Sequence, residues 1–356
     1  MTPRVLHAPC VVGGNAGRLA AAERALGLAS WCLTTDPNPF GYPVDEALRP
    51  LAQGRLGFEA QRWRLLSRAL RDFDVVHFNF GRTFFPNALQ LDLPILKAFG
   101  KALFMTFQGD DVRQGDHCRR LFDVTFASRV PPGYYTAASD AEKRRRVRRL
   151  DRYVDGMYAL NPDLLHVLPS RARFLPYANV DLAVWRQESQ PDNPVPVVVH
   201  APTNRAVKGT ELILEAAARL RAEGERFELV LVENMSNAEA RALYQRADLA
   251  VDQLFAGWYG GFAVEMMALG KPVLCYLREG DFRFLPPGMA EQLPILNAGP
   301  AQVQDALRGA LRLPRERRRE IGARGRLYVD RWHDPAKVAA MVKRDYEAAL
   351  ARRAGR

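Results

Sequence analysis

Short apolar runs rich in Val, Leu and Phe alternate with longer segments of helical period along this chain, and no other feature limits its fold as strongly. Strands that are apolar throughout are buried on both faces, so each needs helices above and below it in a parallel sheet. The spacing predicts strands at Arg4–Ala8, Ala29–Leu33, Asp74–Phe80, Ala102–Phe107, Gly156–Ala159 and Arg173–Leu175, with helices at Arg18–Leu26 and Phe58–Leu70. A second round follows, with strands Val197–His200, Phe227–Val232, Leu249–Leu254 and Val273–Tyr276 and helices Glu211–Ala222, Ala238–Arg246 and Phe262–Leu269. Between the rounds, Gln190–Pro196 packs prolines 191, 194 and 196 into a stiff stretch that cannot join a sheet ladder. The expected class is α/β: two Rossmann-like, doubly wound domains in tandem, residues 1–190 and 191–335. A basic helical stretch with Arg315, Arg317, Arg318 and Arg319 and a last helix, Pro335–Ala351, follow the second round.

Composition narrows the function classes. The 356 residues are 48% hydrophobic and 26% charged, which excludes a disordered chain. Lys and Arg outnumber Asp and Glu by 51 to 40, so some surface attracts phosphates, anionic lipid or nucleic acid. No nucleic-acid reader motif accompanies that charge, and no nucleic-acid partner is expected. Cys10, Cys32, Cys118 and Cys275 form no C-x-x-C pair, which argues against a zinc knuckle or a disulfide framework and fits a reducing cytosol. No signal-like segment and no apolar run of membrane-spanning length is read, so the expected location is cytoplasmic, with peripheral contact at the inner face of a membrane as an option. The six histidines lack metal-ligand spacing, and Asp72-Phe73-Asp74 precedes a strand, away from the ligand edge; neither metal nor cofactor is expected.

The segment from His200 to Thr210 runs strand, polar loop, helix, an arrangement in which unpaired N–H groups and the helix dipole converge on an anion. Arg205 and Lys208 add two cations, Gly209 permits close backbone approach, and Thr210 can cap the helix. An ordinary capped helix with two solvated cations is the alternative. In the segment from Asp252 to Val273, Gly257, Gly260 and Gly261 loosen a loop after a strand, and Glu265 lies one turn inside the following apolar helix. There its carboxylate can accept hydrogen bonds from the vicinal hydroxyls of a ribose; a solvent-facing glutamate is the alternative. Trp258 and Tyr259 read either as an aromatic platform near the cleft or as core.

Three further segments carry chemistry. Val12–Gly17 follows the opening strand and suits a loop close to phosphates or an acceptor, although it is not G-x-G-x-x-G. In Phe107–Arg113, at a strand's carboxyl edge, Asp110, Asp111, Gln108 and Arg113 can orient sugar hydroxyls; a turn and helix cap made by Asp110 or Asp111 is the alternative. Glu142–Arg152 sets Val147 and Leu150 against a row of cations that includes Arg144, Arg145 and Arg148, a face that fits either anionic lipid or plain solvent.

Lys208-Gly209 after a strand, together with the block from Gly260 through Glu265 to Val273, resembles the donor-binding domain of GT-B glycosyltransferases of the retaining, family-four-like group. The resemblance covers nearly the whole chain. It implies two domains facing a cleft, a last helix (336–356) that returns to the first domain, and transfer of a sugar from a nucleotide diphosphate sugar to a hydroxyl acceptor, lipid-linked acceptors included, in glycan or glycoconjugate synthesis. By that likeness Lys208 holds the donor diphosphate, Glu265 binds the ribose, and Gly13 and Gly14 lie beside the donor phosphate. The candidate catalytic residues are Arg205, Lys208 and Asp110. The donor-binding set is Gly13, Gly14, Thr203, Gly209, Gly260, Gly261 and Glu265; Gln108, Asp111 and Arg113 form the acceptor side. Three positions depart from the family pattern: Gly257 replaces the first motif glutamate, Thr203 its arginine and Gln108 its histidine. Nucleotide-sugar 2-epimerases share the architecture and stand as an alternative, as does a non-catalytic protein that binds a polyanion or a partner enzyme.

Overall fold

The computed structural model describes residues 2–49, 54–85, 89–187 and 191–355. Its first lobe runs β1 (Arg4–Ala8), α1 (Asn15–Ala25), β2 (Ala29–Thr34), β3 (Glu46–Ala47), α2 (Arg55–Asp72), β4 (Val75–Asn79), α3 (Asp92–Ala98), β5 (Ala102–Phe107), α4 (Gly115–Leu121), α5 (Ala137–Tyr153), β6 (Gly156–Ala159) and β7 (Arg173–Phe174). The second runs β8 (Val197–His200), α6 (Arg205–Lys208), α7 (Thr210–Ala222), β9 (Glu228–Leu231), α8 (Asn237–Gln245), β10 (Leu249–Val251), α9 (Gly261–Ala268), β11 (Val273–Cys275), β12 (Leu296–Asn297), α10 (Val303–Arg312), α11 (Arg315–Trp332) and α12 (Pro335–Ala354). Each longer strand expected from the apolar runs is present, shifted by at most a few residues at its ends. The edge strands β3 and β12 are too short to leave a run. Gln190, the expected start of the proline-rich linker, lies outside the described residues.

Strand order is β3-β2-β1-β4-β5-β6-β7 in one sheet and β12-β11-β10-β8-β9 in the other, with every pairing parallel. The order reverses beside β1 in the first sheet and beside β8 in the second. Open α/β sheets bind ligands at the carboxyl ends of strands flanking such a reversal.

Alternation along the strands sorts the first lobe's helices into two layers. Leu6, Val76, Phe78, Leu103 and Met105 point to one face, where Leu65 and Leu66 of α2, Leu93 and Leu96 of α3, and Val147 and Leu150 of α5 cover them. Val5, Val75 and Phe104 point to the other, against Leu19 of α1 and Val338, Val342 and Tyr346 of α12. The chain therefore comes back: α12 follows the second lobe but packs on α1, and the Tyr346 hydroxyl donates to Glu23 at 3.0 Å and meets His77 Nδ1 at 2.5 Å.

Several contacts tie the lobes. Asn237 N–H donates to the Phe40 carbonyl (2.9 Å), Asn179 Nδ2 to the Gly261 carbonyl (3.2 Å), and Arg278 to the Val124 carbonyl (3.0 Å). Trp258 and Tyr259 are fully buried, their rings packed at a 30° tilt with centroids 4.3 Å apart, and Tyr259 hydrogen-bonds His333. They are core, not a platform on the cleft.

Candidate functional site

The carboxyl edges of the two sheets enclose a cavity of about 380 Å³. Its first wall comes from the loops after β1, β4, β5 and β6, with Gly13, Asn15, Phe80, Gln108, Arg113 and Asn161; its second from the loops after β8 and β10 and the start of α9, with Thr203, Lys208, Gly260, Gly261 and Glu265. A larger hollow, about 760 Å³, opens between Asp123–Arg129 and Asn297–Gln302. It holds none of the candidate residues, so the chemistry converges on the smaller space.

Lys208 ends the single turn α6. Its ammonium donates at 2.6 Å to Asp252, a fully buried carboxylate that also accepts the Gly260 N–H at 2.6 Å. The sequence passed over this partner because Asp252 lies 44 positions away and simply ends a strand. Held in this way, Lys208 Nζ sits 3.1 Å from where a side chain on Gly260 would begin, so glycine at the entrance to α9 leaves the ammonium its room. α9 begins at Gly261 without a side-chain cap, and the first-turn N–H groups of a helix have no intrahelical partner.

Glu265 is the second charged group of this wall. It is almost fully buried, lines the cavity and accepts a hydrogen bond from Asn237 Nδ2 at 2.9 Å. Burial lifts its pKa to about 7, helped by nearby Asp252 and opposed by Asn237 and Lys208. Tyr42 and Tyr244 also line this end of the cavity.

Arg205 is placed differently from the sequence expectation. Its guanidinium is paired with Glu233 through two hydrogen bonds of 2.9 Å and reaches Glu211 at 3.1 Å, outside the cavity lining. Gly209 separates α6 from α7 and faces Leu254 and Phe255 instead of the cavity. Thr210 opens α7 but hydrogen-bonds His200 Nε2 at 2.9 Å instead of capping the helix. His200 Nδ1 donates to the Val251 carbonyl, and burial lowers this imidazole's pKa to about 4.

The acceptor-side candidates separate as well. Asp110 accepts from the hydroxyls of Tyr134 (2.6 Å) and Tyr135 (2.5 Å) and is not among the lining residues. Asp111 is buried and accepts the backbone N–H groups of Gln108 and Gly109, so it shapes the turn after β5; burial lifts its pKa to about 6. Arg113 lines the cavity but is held by Asp163 through hydrogen bonds of 2.6 and 3.2 Å. Gln108 also lines it, and its Nε2 has no hydrogen-bond partner among the described residues.

Two residues the sequence reading missed share that property. Asn15 Oδ1 accepts the Ala178 N–H at 2.6 Å while its Nδ2 has no partner among the described residues; Asn179 Nδ2 donates to the Gly261 carbonyl while its Oδ1 has none. Both are buried cavity residues. A buried polar atom without a partner is costly unless a ligand or water completes it. Their one signal in the sequence is position: Asn15 follows the Gly13-Gly14 pair. Gly14 has φ +71° and closely approaches the Tyr42 ring, a geometry that favours glycine at the head of α1.

Gly257, where the family pattern has its first glutamate, has φ +78°, and a Cβ there would lie 2.6 Å from the Arg278 guanidinium. Arg278 fills this space, stacked on Phe122 at 3.5 Å and bonded to Asp281 (3.0 Å) as well as to Val124. The basic row on α5 is partly used internally: Lys143 donates to the Arg113 carbonyl, Arg144 pairs with Asp116 and Arg146 bonds the Asp111 carbonyl. Arg145, Arg148 and Arg152 face outward. Asp72 and Asp74 pair with Arg71 and Arg4.

No protein-family model and no curated protein matches the sequence. Solved structures do match. Sucrose-phosphate synthase from Thermosynechococcus elongatus superposes with a TM-score of 0.65 at 15% identity, covering 99% of this chain and 100% of the other. WaaG, a glycosyltransferase involved in lipopolysaccharide biosynthesis, gives 0.57 at 14% identity over 95% and 99%. The Staphylococcus aureus MnaA structure with UDP gives 0.52 at 11% identity over 96% and 95%. The chain has the GT-B fold, two parallel α/β lobes facing a cleft, which it shares with glycosyltransferases such as sucrose-phosphate synthase and WaaG.

Proposed function

We propose that this protein is a glycosyltransferase that takes a sugar from a nucleotide diphosphate sugar and passes it to a hydroxyl acceptor in the interlobe cavity. One observation carries the reading: the Lys208 ammonium, the uncapped start of α9 and the Glu265 carboxyl meet in one cavity where the second sheet's strand order reverses. A diphosphate fits the first two, because an ammonium and helix N–H groups favour an anion. A ribose fits the third, since a carboxylate accepts from vicinal hydroxyls. As the bond to the sugar breaks, negative charge grows on the departing diphosphate, and donors fixed beforehand stabilise it without reorganisation. Asn15, Asn179 and Gln108 offer the transferred sugar two amide donors and one carbonyl. Retention at the anomeric carbon follows the family resemblance, with the leaving phosphate taking the acceptor's proton, and no resident metal is needed for these steps. The UDP bound in the MnaA structure and the likeness to the glycosyltransferase WaaG support this choice of substrate class.

The test is incubation of the protein with UDP-, GDP-, ADP- and dTDP-sugars, followed by chromatography of the products and calorimetry of binding. Transfer or slow hydrolysis of one donor is expected; failure to bind any nucleotide defeats the reading. Arg278 in the space beside Gly257 favours a second one, because the carboxylate that family transferases place against the sugar is missing. A 2-epimerase would convert a donor to a new sugar isomer in the same assay.

A further inference from the structure

We infer that a loop of the first lobe, Asp36–Pro43, completes the nucleoside half of the donor site, with Phe40 and Tyr42 closing over a base and its ribose, an assignment that rests on the transferase reading. It places two aromatic residues on the donor from the lobe opposite Lys208 and Glu265. The loop leaves the carboxyl end of β2 and leads into β3. Prolines 37, 39 and 43 make it stiff and keep it out of any sheet ladder. It is also bonded to itself: Asn38 Oδ1 accepts the Tyr42 N–H at 3.0 Å, and Asn38 Nδ2 donates to the Tyr42 carbonyl at 2.6 Å. Two glycines at the head of α1 seat it. A Cβ on Gly14 would lie 2.8 Å from the Tyr42 ring, and one on Gly17 would collide with the Pro43 carbonyl.

What the loop reaches decides its ligand. The Phe40 carbonyl accepts the N–H of Asn237, the first residue of α8, and Asn237 Nδ2 donates to the Glu265 carboxyl. A single residue of the second lobe therefore joins the loop to the group proposed to bind ribose. Phe40 and Tyr42 line the cavity together with Val232, Met235, Ala240 and Tyr244 from the segment that runs from the end of β9 through α8. These six side chains are apolar or aromatic, which suits a flat heterocycle and not a diphosphate. Both hydrogen bonds of Tyr42 among the described residues use its backbone, which leaves its hydroxyl for a ligand. Burial and the nearby Glu265 carboxylate raise the pKa of this phenol, so it stays a neutral donor. A ribose here meets a carboxyl that accepts and a phenol that donates.

Calorimetry of the full chain with UDP, GDP, ADP and dTDP, each compared with inorganic pyrophosphate, tests it. Phe40→Ala and Tyr42→Ala should each weaken the preferred nucleotide about tenfold or more, while pyrophosphate affinity stays within about twofold of the parent. Tyr42→Phe keeps the ring and loses the donor, and should weaken the nucleotide about threefold. Hydrogen exchange on the parent chain gives a reading that needs no substitution: bound nucleotide should slow exchange across residues 38–42, and pyrophosphate should not. Three results overturn the inference and leave the transferase reading standing: nucleotide affinity equal to the parent's in both alanine variants, matching losses for nucleotide and pyrophosphate, or exchange at residues 38–42 unchanged by nucleotide. A parent chain that binds none of the four nucleotides overturns both together.

Discussion

The two walls of the cavity face a ligand with opposite economies of charge. On the second sheet's side the ionic groups are already engaged: Lys208 with Asp252, Glu233 with Arg205 from outside the lining, and Glu265 hydrogen-bonded by Asn237. On the first sheet's side Arg113 is likewise held by Asp163, but neutral amides are left unfinished at Asn15 and Gln108. A ligand meeting the second wall must share a lysine that is already engaged, whereas at the first wall it meets amides that have no hydrogen-bond partner among the described residues. The second wall therefore resists rearrangement, and the first gains most from occupancy.

The contrast is most exposed at Lys208. Lys208→Ala leaves Asp252 buried with only the Gly260 N–H, and should cost about 3 to 5 kcal/mol of stability in denaturant titration. Lys208→Met with Asp252→Asn should restore most of that loss. If Lys208→Ala is neutral, the second wall is not held by its own pairing. The folded double variant then isolates binding: its nucleotide affinity should fall by about 1.5 to 3 kcal/mol in calorimetry, the size of one charge-assisted contact. Unchanged affinity would remove Lys208 from the donor site.

Glu265 sharpens the comparison through pH. Its pKa is raised from 4.5 to about 7, so the folded protein keeps a proton that the unfolded chain has released across that interval. Stability contributed by this group is complete below 4.5 and is lost as pH rises through about 7. Hydroxyl donors prefer the ionised carboxylate, so nucleoside affinity should move the other way, rising up to about tenfold between about pH 6 and about pH 8. Glu265→Gln should flatten both profiles, melting curves reporting one and calorimetry the other. The smallest effect is expected at the first wall. Gln108→Leu should leave the melting temperature of the empty protein unchanged or slightly higher, because it removes an unpaired amide. Nucleotide-sugar affinity should still drop by about 1 kcal/mol.

Particular residues show why some of this was legible in the sequence. Lys208 and Glu265 stood out because each comes soon after an apolar strand and close to glycine, Gly209 next to the one and Gly260-Gly261 before the other, a local pattern that survives folding. Arg205 looked equivalent to Lys208 in one dimension, and only the return of β9 brought Glu233 against it. Asp252 carried no signal, since its partner is distant in the chain. Asp110 and Asp111 are adjacent in sequence yet serve different neighbours, two tyrosine hydroxyls and the turn's own backbone. Neutral amides such as Asn15 and Asn179 acquire meaning only from the hydrogen bonds they fail to make, which requires coordinates. Likewise, the absence of a glutamate at Gly257 was visible, but that an arginine stacked on Phe122 takes up its room was not.

The helix α12 gives the chain an order of assembly. Tyr346 completes the polar contacts of Glu23 and His77 beneath β1 and β4, so the lobe translated first is finished by residues translated after the whole of the second. During synthesis that lobe waits, with the apolar flank of α1 uncovered, until α12 leaves the ribosome. Severing the chain between the lobes would not yield two autonomous folding units: the amino-terminal piece would lack its closing helix, and the carboxyl-terminal piece would carry a helix whose apolar face has nothing to pack on.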